Sequence, residues 1–234
     1  MTPRWSVVIP AYNEAQRLPP FLDTVVAYFE GRDEPYEVVV VDDGSRDETS
    51  QVVEARRYAS VRIIRREVNG GKGTAVRTGL ARVFEGDFTH VLLLDADMQH
   101  LPEEAASLVA EAGRSGADVV VGERRFDRER MPAARYHANR IGSRALSWFV
   151  GAAVQDTQCG FRVFRVDALR PLTLTASGYE IETEMLIKVR RRGGRVAGVP
   201  VTAVYAGQRS KLRPIPDTTR TCFLAVYYRF LERV

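Results

Sequence analysis

Two aspartates, separated by a single residue, end an apolar run in the stretch "VLLLDADMQH", residues 91–100. Alternate residues of an extended chain point to the same side, so Asp95 and Asp97 can turn both carboxylates toward one site. Adjacent carboxylates raise each other's pKa unless a cation compensates their charge, and oxygen ligands of this type suit Mg²⁺ or Mn²⁺. The pattern predicts a divalent-cation site with room for substrate phosphates; the alternative is a solvated loop after a strand.

A second acidic pair, Asp42 and Asp43, follows another apolar run in the stretch "YEVVVVDDGSRDET", residues 36–49. Because parallel strands end at one edge of a sheet, this pair is expected on the same edge as the first pair. A carboxylate at that edge can accept hydrogen bonds from ribose hydroxyls or from the N–H of a nucleobase. The sequence Asp-Gly-Ser is also common in turns, so a purely structural turn is the alternative.

The glycine-rich stretch "NGGKGTAVRTGL", residues 69–80, enters a predicted helix close to Lys72. Glycine lets a backbone approach a phosphate closely, and a lysine at the start of a helix adds positive charge. The GxxxxGKS/T spacing of the P-loop nucleoside triphosphatases is absent, which argues against that class. The stretch therefore predicts an anion-binding loop of another kind, with a flexible loop as the alternative.

Two polar stretches of the second half can also take part in a site. The stretch "DTQCGFRVFR" places Asp156 and Gln158 before a glycine and an aromatic residue, where a carboxylate can face a substrate hydroxyl or simply form a turn. In "EIETEM", Glu180 and Glu184 share one helix face and Glu182 lies on another. Such faces are usually solvated, but the apolar "MLI" that follows indicates that one carboxylate points inward.

A group of basic residues lies near predicted strand ends and in a proline-containing loop. Most arginines of any protein only solvate its surface, but this grouping makes a phosphate clamp plausible for some of them. The set consists of Arg124, Arg125, Arg140, Arg144, Arg209, Lys211 and Arg213.

The elements that position these residues alternate between strand and helix over the first 122 residues. Apolar runs and helical spacing predict strands at 6–9, 37–41, 61–67, 89–97 and 117–124, with helices at 15–30, 49–58, 72–84 and 102–116. This order is typical of an α/β fold whose mostly parallel central sheet has right-handed crossovers and helices on both faces.

The second half is less regular, and no linker separates it from the first. It predicts a helix at 132–151, a short strand at 160–165, a helix at 179–194, a strand pair or bent strand at 195–207, a basic loop at 208–217 and a last, amphipathic helix at 218–234. We therefore expect a single domain, residues 1–234, made of the halves 1–122 and 123–234.

Composition narrows the class of protein. The 234 residues are 45% apolar and 27% charged, with a net charge of +4, which suits anionic ligands or an anionic membrane surface. No Lys/Arg block interleaved with aromatic residues points to nucleic acid. Cys159 and Cys222 lack metal or redox spacing, and neither a signal peptide nor a spanning segment stands out. These features predict a cytoplasmic protein, soluble or peripheral on the membrane.

Taken together, the motifs resemble those of the family 2 glycosyltransferases and, within them, of the dolichyl- or polyprenyl-phosphate sugar transferases. Seven pieces occur in the family's order, across residues 6 to about 213: "VVIPAYNE", "VVVVDDGSRDET", "NGGKGTAVRTGL", "LLLDADMQH", "DTQCGFRVFR", "YEIETEMLIKVRRRG" and "QRSKLRP". The resemblance implies a glycosyltransferase A-type fold, a nucleotide-sugar donor, Mg²⁺ or Mn²⁺, and inverting transfer of a hexose to a polyprenyl or dolichyl phosphate. The first half would bind the donor and the second half the acceptor.

The resemblance also implies roles for individual residues on the donor side. The nucleotide pocket would be lined by Pro10, Ala11, Tyr12 and Glu14. Base or ribose would be contacted by Asp42 and Asp43, and the uridine or phosphate side by Gly71 and Lys72. The metal would be held by Asp95 and Asp97, with Ala96 beside them and Gln99 as a third ligand or a sugar contact.

On the acceptor side, the resemblance implies a phosphate clamp made of Arg124, Arg140 and Ser143, with Arg125 and Arg144 as competing candidates. Asp156 and Gln158 would face the donor sugar. A phosphate acceptor is already an anionic nucleophile and needs no strong base. If the acceptor were a hydroxyl, Asp156 would be the candidate base.

Donor and acceptor stay open at this point. "DTQCGF" is closer to the glucosyl branch of the family, where UDP-glucose is the donor, than to the mannosyl branch, where GDP-mannose is. A soluble transferase acting on a small hydroxylated metabolite is a further alternative. The last helix, "TTRTCFLAVYYRFLERV", mixes apolar residues with arginines. It can lie on a membrane surface, pack on the core, or bind a second copy in a homo-oligomer.

Overall fold

A computed structural model describes residues 2–96, 104–124, 147–149, 151, 154, 156, 159–202 and 214–230. Within these residues, seven strands form one sheet in the order β3-β2-β1-β4-β6-β5-β7. The strands are β1 (Trp5–Ala11), β2 (Tyr36–Asp42), β3 (Val61–Arg65), β4 (His90–Leu93), β5 (Val119–Arg124), β6 (Arg162–Arg165) and β7 (Val196–Val201).

Seven helices with described bounds accompany the sheet, in addition to the helical residues 147–149. They are α1 (Leu18–Glu30), α2 (Thr49–Ala55), α3 (Lys72–Glu85), α4 (Ala105–Ser115), α5 (Val166–Leu169), α6 (Ile181–Arg191) and α7 (Pro214–Phe230). Prolines occupy the first turn of α1, where the missing N–H groups have no intrahelical partner to lose. None of the helices in the described part of the chain has both the length and the apolar character needed to cross a bilayer.

Strand direction decides which loops meet. β1 pairs in parallel with β2 and β4, β2 with β3, and β5 with β7. β6 lies between β4 and β5 and is antiparallel to both. β6 therefore begins at the edge where β1, β2, β4 and β5 end, and it brings the residues before Arg162 to that edge.

The core has two layers, one on each face of the sheet. Alternate strand residues explain them: Val7 and Ile9 belong to the layer that contains residues of α1, α2 and α4, whereas Val8 belongs to the layer that contains residues of α3, α6 and α7. Residues 38–41 of β2 are fully buried, as expected for a central parallel strand covered on both faces. The predicted α/β class, with a mostly parallel sheet and helices on both faces, is confirmed.

Several predicted boundaries shift in the structure. The last helix begins at Pro214 rather than at residue 218. Of the strand pair or bent strand predicted at 195–207, the described residues contain one strand, β7, which pairs with β5. The predicted helix 132–151 falls largely outside the described residues. Of its residues only 147–149 and 151 are described, and 147–149 are helical.

Candidate functional site

The carboxyl edge of the sheet gathers the polar residues that the sequence singled out. β1, β2, β4 and β5 end there and β6 begins there. The chain leaves this edge at Ala11, Asp42, Leu93 and Arg124, and it returns at Arg162. Open α/β sheets bind ligands at this edge, so the loops around it form the candidate site.

The loops that follow β1 and β2 are joined by hydrogen bonds. The Asn13 amide donates to Ser45 Oγ (2.9 Å), and the Arg46 amide donates to Asn13 Oδ1 (2.9 Å). The Glu14 amide donates to Thr49 Oγ1 (2.9 Å). The left-handed φ of Asn13, 53°, suits an asparagine. Of the four residues predicted to line the nucleotide pocket, Pro10 and Ala11 end β1, and Tyr12 and Glu14 lie in this shared loop.

Asp42 is fully buried and holds the turn that follows β2. Its Oδ1 accepts the Ser45 amide at 2.8 Å, and its Oδ2 accepts the Ser50 hydroxyl at 2.5 Å. Both oxygens thus have partners within the fold. The expected contact between Asp42 and base or ribose stays a prediction, and the turn that was its alternative is present.

Asp43 connects this turn to the glycine-rich loop. Its carboxylate accepts hydrogen bonds from the Arg66 guanidinium and from the amides of Gly70 (3.1 Å) and Gly71 (2.8 Å). Asp43 is 3% exposed. Whether it also contacts a base or ribose stays a prediction, but it fixes the start of α3 in place.

The first turn of α3 approaches the backbone before α6 so closely that glycine is required. Gly71 has a φ of 88°, and a Cβ there would lie 2.5 Å from the Ser177 carbonyl oxygen. At Gly73 a Cβ would lie 2.5 Å from the Ala176 carbonyl oxygen. The Thr74 amide donates to the same Ser177 oxygen at 3.2 Å. This close contact sets the direction in which the lysine between the two glycines projects.

Lys72 lies between two carboxylates at the edge of the sheet. Its Nζ is 2.6 Å from Asp95 Oδ1 and also contacts Glu182 Oε1. It lies 5.5 Å from the centre of the Tyr179 ring. Although burial disfavours the ammonium, the charges of Asp95 and Glu182 raise the pKa of Lys72 above its ordinary value. A Cβ at Gly160 would meet Asp95 Oδ2 and Lys72 Nζ, so the chain at Gly160 packs closely against this ion pair.

A buried arginine holds the backbone next to the cluster formed by Lys72, Asp95 and Glu182. Arg162 is fully buried, and it donates to the carbonyl oxygens of Cys159 (2.7 Å) and Glu182 (2.6 Å). Burial lowers the pKa of Arg162, yet a guanidinium stays protonated in proteins. Burial and the Asp156 charge raise the pKa of Cys159 to about 12, so its thiol stays protonated and is not a nucleophile.

Arg124 and Asp156 form a second charged pair at the same edge. Arg124 donates from Nε to Asp156 Oδ2 (2.5 Å) and from Nη2 to Asp156 Oδ1 (3.1 Å). The Arg124 side chain is 22% exposed and that of Asp156 is 1% exposed. Asp156 therefore supports the guanidinium from the inside; that it also faces the donor sugar stays a prediction.

Ten of the predicted site residues lie outside the described residues, namely Asp97, Gln99, Arg125, Arg140, Ser143, Arg144, Gln158, Arg209, Lys211 and Arg213. Ala96, which is described, is 4% exposed beside Asp95. Among the described residues, no three His, Cys, Asp or Glu side chains are grouped as a metal site. The Asp95 carboxylate fits a hard divalent cation, because it offers oxygen ligands and is 28% exposed at the ligand edge.

Two residues of the cluster, Glu182 and Arg162, were not predicted as site residues. The sequence contains one indirect signal for Glu182, the apolar "MLI" after "EIETEM", which indicates that one of these carboxylates points inward. Residues 181–187 are buried without interruption, so the acidic side chains among them need partners inside the protein. Arg162 lies in the stretch "GFRVFR", which reads as an ordinary strand, and its long-range contacts leave no local pattern.

The fold is similar to that of solved glycosyltransferase structures. Glucosyl-3-phosphoglycerate synthase from Mycobacterium tuberculosis, in complex with Mn²⁺, UDP and glucosyl-3-phosphoglycerate, matches 97% of this chain and 80% of its own. The TM-score is 0.72 at 24% sequence identity. At that identity the likeness shows the fold alone, and the predicted glycosyltransferase A-type fold is confirmed.

Curated relatives are similar over most of the chain. A dolichyl-phosphate β-glucosyltransferase of Trichomonas vaginalis is 32% identical over 84% of this chain and 64% of its own length. This chain thus spans just under two thirds of that relative. An undecaprenyl-phosphate mannosyltransferase of Micrococcus luteus is 33% identical over 84% of this chain and 82% of its own. The family model described as glycosyl transferase family 2 matches residues 6–173, and the chain belongs to that family.

Proposed function

We propose that the protein transfers a hexose, glucose from UDP-glucose, to the phosphate of a polyprenyl or dolichyl lipid, with inversion at the anomeric carbon. The names of the dolichyl-phosphate β-glucosyltransferases from Trichomonas vaginalis and human, 32% and 34% identical, support this acceptor. The observation that carries the proposal is the Arg124 guanidinium, which Asp156 holds at the edge where Lys72 and Asp95 lie. One edge of the sheet thus offers cationic groups for two phosphate-bearing substrates.

On the donor side, Lys72 would contact the diphosphate of the nucleotide sugar, and the loops around Asp42 and Asp43 would hold the nucleoside. Asp95, together with Asp97, would hold Mg²⁺ or Mn²⁺. When bound, such a cation neutralises charge that develops on the departing nucleoside diphosphate. The ammonium of Lys72 adds to this neutralisation, because it is nearly buried and fixed in place.

On the acceptor side, the lipid phosphate would attack C1 of the sugar from the face opposite the diphosphate. A bond forms between C1 and a phosphate oxygen, and the bond from C1 to the diphosphate breaks, with its electron pair leaving on UDP. No proton has to be removed from the nucleophile. The task of Arg124, with Arg140 and Ser143, is then to hold the phosphate in line.

Two alternative functions differ from this proposal, one in the sugar donor and one in the acceptor. The Micrococcus luteus relative, an undecaprenyl-phosphate mannosyltransferase, favours a mannosyl donor such as GDP-mannose. A soluble hydroxylated acceptor would need a general base, for which Asp156 was the candidate. Both Asp156 oxygens accept hydrogen bonds from Arg124, which suits a support for the arginine better than a base.

We also propose that α7 contacts the cytoplasmic face of a membrane, where the lipid acceptor would be found. Its exposed side chains include Phe223 (71%), Val226 (40%) and Tyr227 (41%), with Arg220 exposed nearby. Aromatic and basic side chains on one helix suit the interface of an anionic bilayer. Flotation with vesicles containing anionic lipid tests this contact. A dimer in light scattering that fails to float would favour a homo-oligomer contact instead.

The transfer reaction is tested by incubating the protein and MnCl₂ with radiolabelled UDP-glucose or GDP-mannose. Each donor is combined with polyprenyl phosphate or with a water-soluble extract. We expect label from UDP-glucose in the organic phase. Label from GDP-mannose in that phase would select the mannosyl candidate, and label that stays in water-soluble product would contradict the lipid acceptor.

A further inference from the structure

We infer that Glu182, at the start of α6, is a positioning residue that keeps the Lys72 ammonium at the donor site while Asp95 binds a cation. The inference rests on the proposed function, because a donor diphosphate is the group that would use this ammonium. The two carboxylates that contact Lys72 would then have different roles. Asp95 would bind the cation, and Glu182 would hold the Lys72 ammonium in place.

Asp95 is more exposed to solvent than Glu182, as expected if Asp95 binds a cation and Glu182 holds the lysine. The side chain of Asp95 is 28% exposed and follows β4 at the ligand edge, where solvent reaches it. The side chain of Glu182 is 5% exposed, and that of Lys72 is 13% exposed. A cation arriving from solvent can therefore engage Asp95, whereas Glu182 lies behind the lysine.

Charge explains why a second carboxylate is useful. Two carboxylates and one ammonium sum to −1, and a divalent cation at Asp95 would change the sum to +1. If Asp95 turned its oxygens to that cation, a lysine with Asp95 as its sole partner would be left nearly buried without a counterion. Such an unpaired buried charge is costly, and the side chain would move to water. Glu182 removes that cost and leaves the ammonium in the site.

The backbone around Glu182 is fixed independently of the lysine. Arg162 donates to the Glu182 carbonyl oxygen at 2.6 Å and to the Cys159 carbonyl oxygen at 2.7 Å. The residue after Cys159 is Gly160, whose backbone lies directly against Asp95 and Lys72. One guanidinium thus ties together the two segments that flank the lysine, and it sets the spacing between the carboxylates.

The first experiment measures the affinity for UDP in the presence of MnCl₂ by calorimetry, with the KM for UDP-glucose and kcat. We expect Glu182→Gln to weaken UDP binding and to lower kcat/KM by about 10- to 100-fold, the usual effect of losing a supporting partner. The control is Glu180→Gln, which removes a buried carboxylate from the same helix start, where it accepts the Gly178 amide at 3.1 Å. We expect this control to bind UDP like the wild type.

A double variant separates positioning from a general loss of structure. If Glu182 acts through Lys72, then Lys72→Met combined with Glu182→Gln is no worse than Lys72→Met alone. Losses that multiply in the double variant would overturn the inference. So would a Glu182→Gln variant that binds UDP and Mn²⁺ as tightly as the wild type.

A crystal structure of the Asp95→Asn variant tests the inference without any ligand. The asparagine side chain carries no charge, as if the carboxylate were neutralised by a cation. We expect the Lys72 Nζ to stay in contact with Glu182; a lysine that turns to solvent would overturn the inference. If the wild type transfers no sugar to any acceptor, the proposed function fails, and this crystal structure still decides the role of Glu182.

Discussion

Two carboxylates of α6, two residues apart, each pair with a lysine, but their surroundings differ. Glu184 is fully buried, and its oxygens accept hydrogen bonds from the Thr175 and Ala176 amides, from the Tyr228 hydroxyl (2.7 Å) and from Lys188 (2.8 Å). These donors come from α6, from α7 and from the segment before α6. Glu184 thus connects three parts of the fold.

Glu182 is almost as buried, yet the second carboxylate that contacts its lysine lies at the ligand edge of the sheet. Lys72 joins it to Asp95, whose side chain is 28% exposed at the ligand edge of the sheet. A carboxylate saturated by donors of its own fold stabilises that fold. A carboxylate that shares its cation with an exposed partner at a strand end is placed to serve a ligand. Burial alone therefore does not separate structural from functional charges. The groups that the paired lysine also contacts do separate them.

The largest expected effect is on the structural side of the comparison. Glu184→Ala removes the carboxylate that pairs with Lys188 and leaves the Thr175 and Ala176 amides without this acceptor. Breaking a buried pair in this way lowers the free energy of unfolding by about 3–5 kcal/mol. Urea denaturation followed by circular dichroism measures it. A loss below about 1 kcal/mol would show that Glu184 does not hold α7 to the core; Glu184→Gln serves if the alanine variant does not fold.

The second effect is on the functional side. Asp95→Asn keeps the size of the side chain but removes the charge expected to bind the cation. We predict that sugar transfer falls by about 100- to 1,000-fold, the loss typical of removing one group that stabilises transition-state charge. The melting temperature should change little, because Asp95 is partly exposed. Asp87→Asn, at an exposed aspartate, is the matched control. Transfer within a few-fold of the wild type would contradict the role of Asp95.

A smaller effect is expected at the acceptor clamp. Arg124→Lys and Asp156→Asn each break the two-pronged contact seen between these side chains. We predict that each lowers kcat/KM for polyprenyl phosphate by about 10- to 100-fold, as expected for a charge-assisted hydrogen bond worth about 1.5–3 kcal/mol. Because the residues act as a unit, the double variant should lose little more than either single one. A loss confined to the KM of the sugar donor would instead assign the pair to the donor side.

The smallest effect concerns pH. Burial alone would raise the pKa of Glu184, but hydrogen bonds from Lys188, Tyr228 and two backbone amides lower it below its ordinary value. A carboxyl with a lowered pKa in the folded state stabilises the fold fully above the unfolded pKa, about 4.3. That contribution is lost as pH falls through the folded pKa. Melting temperatures from pH 7 to pH 3 should therefore fall more steeply in the wild type than in Glu184→Gln; parallel curves would contradict this.

Local pattern predicted the strands, most of the helices and the edge of the sheet, because apolar runs that end in aspartates are short-range features. β2 and β4 carry Asp42 and Asp95 to one edge, as their sequences indicate. The insertion of β6 between β4 and β5 could not be predicted, because strand pairing over a long sequence separation leaves no local signal. The partners of Glu182 and Arg162 could not be predicted either, because they are also distant in sequence.

Turn chemistry was predicted better than ligand chemistry. The alternative for Asp42, a structural turn, is present in the hydrogen bond that its carboxylate accepts from the Ser45 amide. Asp43 instead accepts the Gly71 amide from a loop distant in sequence. The contact of Asp42 and Asp43 with a nucleoside stays a prediction, because a sequence does not show whether a carboxylate binds the backbone of a turn or a ligand. In "EIETEM", the helical pattern placed Glu182 apart from its neighbours but did not show which face is covered. Packing by residues distant in sequence decides that.

The most direct test of the account is the position of manganese in crystals grown with UDP and MnCl₂. The anomalous signal of the metal locates it without reference to any expected ligand. We predict a manganese ion bound by Asp95 and the UDP diphosphate, with Lys72 still in contact with Glu182. A manganese ion elsewhere in the protein, or full transfer activity in the presence of a chelator, would contradict the account.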